Sequence, residues 1–257
     1  MNESVNVAEK PKGRRRKFVK KLGKKLLRGS VFNLLVKQSL VPNDPVIANE
    51  HFPWAEEFRT HWEKIARELD EQQKNRDELP NFQDISPDQY RISPDDKWKT
   101  LVFIGFGERS ELNCELCPET AAALELVPEL ETAFFSILSP GKHVPRHRGV
   151  TKGMVRAHLG LRVPEKSSDC WMDCGDERIE WRAGELVFFD DTYPHAVWNN
   201  TDEYRAVLLF DFERPMKPAG RWVSRLMIRL LRTTAYFKDA QRNLREWEKR
   251  YKKFVQH

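Results

Sequence analysis

From residue 101 to residue 212 the chain is cut into apolar runs of three to nine residues, each bounded by Pro, Gly, Asn or Asp. The runs are Leu101–Phe106, Ala133–Leu138, Val155–Val163, Glu185–Phe189, Ala196–Trp198 and Arg205–Phe212, rich in β-branched and aromatic side chains. Segments this short satisfy a pleated, half-buried surface better than a helix of several turns. Several of them in ~110 residues predict two packed sheets or a barrel, in jelly-roll form.

Helical periodicity brackets this region. Trp54–Gln73 carries Phe58, Trp62, Ile65, Ala66 and Leu69 on one stripe, and Pro80, Pro87 and Pro94 punctuate an extended link after it. A helix with Pro in its first turn is expected at Pro118–Leu126, and the helical period returns after Pro215. Between Arg14 and Val36, Phe18, Val19, Leu22, Leu26 and Leu27 recur at broadly helical spacing, with an interruption at Gly29–Ser30; residues 1–13 read as disordered. The expected organisation is a basic amphipathic N-terminal segment (1–45), a β domain (46–216) and a basic amphipathic helical C-terminal segment (217–257). The fold class is mainly β with α-helices flanking the core at both termini.

The net charge of +5 hides a segregation. Residues 10–28 hold eleven Lys or Arg and no acid, and residues 217–257 hold twelve basic residues against three acids. The body from 29 to 216 is left at −13. An acidic body with basic ends points to an anionic surface as the docking partner of those ends. Lys and Arg interrupt the N-terminal apolar residues, so no signal peptide is expected, and no run approaches the ~20 apolar residues of a membrane span. Cys114, Cys117, Cys170 and Cys174 read as free thiols of a reducing compartment. Two close pairs raise the idea of a Cys₄ zinc site, but the second spacing is loose and Cys117-Pro118 reads better as a helix entry.

Chemistry concentrates in three segments: His143-Val-Pro-Arg-His147-Arg-Gly149, Met154-Val-Arg156-Ala-His158-Leu-Gly-Leu, and Phe189-Asp-Asp-Thr-Tyr-Pro-His195-Ala-Val-Trp-Asn199, followed by Arg205. Four of the seven histidines lie between 143 and 195, at or near expected strand ends. Neutral imidazole is a good ligand for non-haem iron, and a jelly roll can bring distant strand ends to one mouth. Together these segments resemble the aspartyl/asparaginyl β-hydroxylase family, which includes bacterial lipid A and ornithine-lipid acyl-chain hydroxylases; the likeness covers about residues 98–216. It implies a double-stranded β-helix (cupin-like) core, Fe(II) as metal, 2-oxoglutarate as co-substrate and O₂ as oxidant. By that likeness His147 and His195 hold the iron and Arg205 pairs with the distal carboxylate of 2-oxoglutarate. His158 and Ser136 contact the co-substrate, and Arg156 stands on the substrate side.

Gly149 occupies the position two residues past His147 where this chemistry more often has a carboxylate ligand. Water or another anion is expected there; chloride would turn the reaction toward halogenation. Asp190 and Asp191 could substitute or hold the water, with a supporting role preferred for both. Asp211-Phe-Glu-Arg-Pro-Met216 looks like the lipid A hydroxylases, although those usually carry hydrophobic membrane segments. Trp222, Val223, Leu226, Met227, Leu230 and Leu231 form one stripe beside Arg221, Arg225, Arg229 and Arg232. Such a helix either lies in a membrane interface or packs on the barrel with its arginines in water. The expected activity is hydroxylation of an unactivated C–H on a fatty acyl chain of lipid A or a similar lipid; the alternative is β-hydroxylation of Asp or Asn in a protein. The expected location is cytoplasmic, peripheral on the cytoplasmic face of the inner membrane. No nucleic-acid partner is expected, and the sequence leaves the oligomeric state open.

Overall fold

A computed structural model describes residues 29–105 and 107–255. The expectations for residues 1–28 lie outside the described residues, as does Phe106, the expected end of the first run.

The strands are β1 (Val46–Ile47), β2 (Trp98–Gly105), β3 (Glu108–Arg109), β4 (Leu130–Leu138), β5 (Lys142–His147), β6 (Met154–Arg162), β7 (Cys170–Cys174), β8 (Glu177–Glu180), β9 (Leu186–Phe189), β10 (His195–Asn199) and β11 (Arg205–Glu213). Seven form a larger sheet in the order β1-β9-β6-β11-β4-β2-β3, and four a smaller one, β5-β10-β7-β8. Every pairing is antiparallel. The two facing sheets with non-sequential order are the expected jelly roll. Among the described residues each of the six expected runs coincides with a strand, Val163 and Glu185 lying just outside. β5, β7 and β8 were missed because their composition is polar or sulfur-rich. Pro145 in β5 is tolerated because β5 is an edge strand of its sheet.

Side chains alternate across a strand. One face of the larger sheet presents Phe135, Ile137, Leu159, Phe188, Leu208 and Phe210, all essentially fully buried. Helices α1 (Ser30–Gln38), α2 (Ala55–Arg59), α3 (Trp62–Gln73), α4 (Phe82–Ile85), α5 (Glu111–Leu116) and α6 (Pro118–Leu124) precede or interrupt the strands. Of these, α2 and α3 cover that face with the expected stripe: Phe58, Ile65 and Leu69 are buried, and Phe58 lies 5.1 Å from Phe210 between ring centres. Each such side chain contributes roughly 1.5–3 kcal/mol by leaving water. The expected single helix over 54–73 is broken at Thr60, whose hydroxyl donates to the Glu57 carbonyl (2.7 Å), a local bond that competes with helix continuation. The other face of the larger sheet looks toward the smaller sheet, and the polar residues of the motifs lie there.

The C-terminal segment divides in two. Helix α8 (Ala235–Val255) buries Phe237, Ala240, Leu244, Trp247 and Tyr251. Trp247 donates to the Glu78 carbonyl (3.1 Å) and Asn243 to Asp84 (3.1 Å), so α8 packs against α4 and the link after α3. Helix α7 (Pro218–Arg232) buries Gly220, Ser224, Met227 and Ile228, while Trp222, Leu226 and Leu230 stay exposed. The expected apolar stripe is therefore split between two faces of α7. Helix α1 joins α7 through a small cluster of Leu35, Met216 and Met227.

Candidate active site

His147 and His195 are opposed in register at the end of the β5–β10 ladder, with ring centres 4.1 Å apart. Strict alternation would not place both inward, because Val144, three residues before His147, is itself buried. A bulge resolves this: three steps of β5 (144 to 147) match two of β10 (197 to 195), which reverses the parity. His147 thereby turns to the side that His195 occupies.

Both rings are oriented in the same way. Nδ1–H of His147 donates to the Pro145 carbonyl (2.9 Å), and Nδ1–H of His195 to the Tyr193 carbonyl (3.0 Å). A carbonyl can only accept, so each Nε2 keeps its lone pair for a metal. Burial pushes His147 down to about 4 and, aided by the neighbouring His147 ring, His195 down to about 3. Both are neutral near pH 7, the form that ligates.

Across the gap, the larger sheet supplies His158 from β6 and Arg205 and Asp211 from β11 on one face, with Ser136 of β4 beside them. Trp181 joins them. Its Nε1–H donates to Nδ1 of His158 (3.2 Å), and the Arg205 guanidinium lies 4.5 Å over its ring. Since His158 Nδ1 accepts, the proton sits on Nε2, and that buried Nε2 has no hydrogen-bond partner. Arg205 is 2% exposed, donates to the Ser136 carbonyl (3.3 Å), and leaves Nε unpartnered. Burial lowers it to about 10, against help from the Cys170 thiol, so it remains cationic. Among the described residues no carboxylate pairs with it. A buried cation without a counter-ion and a buried N–H donor without an acceptor are costly unless a ligand satisfies them, and a small carboxylate has the chemistry to do so. The Ser136 hydroxyl is already engaged by Trp98 Nε1–H (3.0 Å).

Arg156 is differently placed. It forms a two-pronged pair with Asp211 (2.7 and 2.9 Å) and lies 3.5 Å from Asp191. The two adjacent acids part company. Asp190 is fully buried and paired with two buried cations, Lys152 and Arg214 (2.5 Å to the latter), a structural triad. Asp191 faces the site. A Cβ at residue 149 would overlap its carboxylate, so Gly149 is the space into which Asp191 fits. Burial raises Asp191 to about 7, opposed by Arg156. His143, the fourth histidine of the segments, stacks on Trp198 (4.8 Å) on the exposed side and takes no part.

Two imidazoles with free Nε2 atoms fit a metal that needs few protein ligands. Among the described residues no group of three or more His, Cys, Asp or Glu is arranged to hold a metal ion. Cys114 and Cys117 lie in and just after α5, whereas Cys170 and Cys174 lie on β7; all four are free and buried. Sequence reading missed Trp181, Lys152 and Arg214, which act through partners far away in the chain.

The model of the aspartyl/asparaginyl beta-hydroxylase family matches residues 59–215, more than half of the chain. The chain belongs to this family. It is 42% identical over 219 residues to an ornithine lipid ester-linked acyl 2-hydroxylase of Rhizobium tropici, spanning 85% of this chain and 78% of that one. It is 29% identical over 174 residues to the human aspartyl/asparaginyl beta-hydroxylase, covering 63% of this chain but 23% of that protein. Among solved structures, a Pseudomonas putida prolyl-4-hydroxylase overlaps 61% of this chain and 90% of its own at 22% identity, with a TM-score of 0.37. Membership of this family and its acyl- and Asp/Asn-hydroxylase relatives support a hydroxylase.

Proposed function

We propose that this protein is an Fe(II)- and 2-oxoglutarate-dependent dioxygenase that hydroxylates a fatty acyl chain of a membrane lipid. The carrying observation is that two carbonyl-tethered imidazoles opposed on the smaller sheet face an unpartnered His158 N–H and a buried guanidinium without a carboxylate partner on the larger one. In this reading His147 and His195 hold the iron, Arg205 grips the far carboxylate of 2-oxoglutarate by charge-assisted hydrogen bonds, and His158 Nε2–H donates to the co-substrate. Bound iron and 2-oxoglutarate supply activation of O₂ for oxidation of an unactivated C–H. The chain's own share is positioning: Trp181 holds both Arg205 and His158, and the Asp191 carboxylate occupies the space that Gly149 leaves.

Two observations favour an acyl chain over a peptide. The relative from Rhizobium tropici is named as an ester-linked acyl 2-hydroxylase of ornithine lipid, so carbon 2 of an ester-linked chain is the first candidate, with lipid A a further one. Moreover, the Arg156 charge is shared with Asp211 and Asp191, which leaves it ill suited to anchor an anionic peptide group. The test is succinate release by the purified protein supplied with Fe(II), 2-oxoglutarate and extracted lipids, with mass spectrometry for a gain of one oxygen. Iron-dependent succinate with an oxidised lipid supports the reading. Unchanged lipids and an oxidised Asp- or Asn-containing peptide would overturn the substrate; no iron or 2-oxoglutarate dependence would overturn the reaction.

A further inference from the structure

We infer that α7, flanked by α1, is the face by which this protein lies on an anionic lipid bilayer. The inference rests on the lipid-substrate reading above and adds the surface to it.

Helical geometry divides α7 into three sides. Gly220, Ser224, Met227 and Ile228 face the protein. Opposite them Trp222, Leu226 and Leu230, spaced by four residues, stand out at 68%, 43% and 60% exposure. Arg221, Arg225, Arg229 and Arg232 form the third side; Arg225 is taken by Glu213 and Glu129, and Arg232 by Glu131. Arg221 and Arg229 are exposed. A tryptophan and two leucines beside exposed arginines match the chemistry of a bilayer interface. Leu34 of α1 is a further exposed apolar residue on the neighbouring helix. The sequence just before α1, residues 10–28, carries eleven basic residues and no acid, adding to the charge of exposed Arg221 and Arg229. That charge selects an anionic lipid surface over a second copy of this chain, which would bring like charges together.

The same helix is bound to the loop that follows β5. Ser224 donates to the Gly153 carbonyl (3.4 Å) and the Thr151 hydroxyl approaches the Met227 sulfur (3.8 Å). The loop so held starts at His147 and carries exposed Arg148 and Val150. Seating the outer face of α7 on a bilayer therefore leaves this loop on the inner side of the helix, about one helix diameter (~10 Å) from the headgroups. Helix α8 is excluded from this role, because its apolar face is already covered.

The test is co-sedimentation of the full chain with phosphatidylcholine vesicles, with and without 30 mol% phosphatidylglycerol (a composition of about this order gives a strongly negative surface). Binding to the anionic vesicles is expected, weakening with salt. Trp222→Ser/Leu226→Ser/Leu230→Ser should weaken it by tenfold or more, and Arg221→Glu/Arg229→Glu by at least about 25-fold, at roughly fivefold per lost cation. Thermal melts identify folded variants; should the triple serine variant not fold, the arginine variant decides alone. Folded variants that bind as well as the parent overturn the proposal. So does a parent that ignores vesicles, or a parent that forms a dimer which the triple variant loses. Turnover of lipid in detergent micelles separates the two readings: turnover without vesicle binding sinks only the docking face, and vesicle binding without turnover of any lipid sinks only the substrate.

Discussion

Replacing Arg205 by Met asks whether this guanidinium is a pillar of the fold or a waiting ligand grip. Its shape is nearly kept and its charge removed. In the metal- and ligand-free protein, Arg205 is 2% exposed with no carboxylate among the described residues, and removing a poorly compensated buried charge in favour of an apolar side chain stabilises by about 1–4 kcal/mol. Against this stand the contact with Trp181 at 4.5 Å, worth up to about 2 kcal/mol when desolvated, and the long 3.3 Å bond to Ser136, about 1 kcal/mol or less. The sum lies between a loss of about 2 and a gain of about 4 kcal/mol, centred on a slight gain. Binding of 2-oxoglutarate should behave oppositely: truncating one partner of a buried charge pair costs about 2–5 kcal/mol, a rise in Kd of roughly 30- to 5,000-fold. Urea melts of the apo-protein and anaerobic calorimetric titration of 2-oxoglutarate into the manganese-loaded protein measure the two quantities. An Arg205→Met protein destabilised by more than about 3 kcal/mol with unaltered co-substrate affinity would refute the argument.

Three further expectations follow from neighbouring residues. Asp190→Asn leaves Lys152 and Arg214 buried without their shared anion and should cost about 3–5 kcal/mol in urea melts, whereas Asp191→Asn should stay within about 1 kcal/mol. Gly149→Ala pushes a methyl into the Asp191 carboxylate and should cost about 1–3 kcal/mol, while Gly149→Ala/Asp191→Ala recovers more than about 1 kcal/mol of that in a double-mutant cycle; additive losses would contradict the packing. The imidazoles of His147 and His195 are held down to about 4 and about 3, so the unfolded chain takes up protons below about 6.5 that the folded chain refuses. Metal-free protein should therefore lose stability as pH falls from about 6.5 toward 4, and His147→Asn/His195→Asn should flatten that limb of a pH series; an unchanged limb would show that other groups cause it.

The six apolar runs between 101 and 212, and the stripe from Phe58 to Leu69, were legible because they are local: strand and helix periodicities are written in near neighbours. Polar strands were not. β5 reads as charged and proline-containing, and only its place at a sheet edge makes it a strand. Asp190 and Asp191 look equivalent in sequence, yet Lys152 and Arg214 claim one while Gly149 makes room for the other. The 217–257 segment reads as one basic amphipathic stretch, yet Trp247 and Tyr251 find a covered site and Trp222 and Leu230 do not.

What the amino-acid order alone determined was the fold class, the placement of the helices around it and the identity of the three segments that bear chemistry, since each depends on residue type and short-range spacing. Only the tertiary structure decided that a bulge turns His147 to face His195, and that Trp181 ties His158 to Arg205. It likewise decided that α8 is covered while part of α7 is bare. These depend on strand register and on partners tens of residues away, and no local pattern encodes which distant side chain will arrive to satisfy a buried charge.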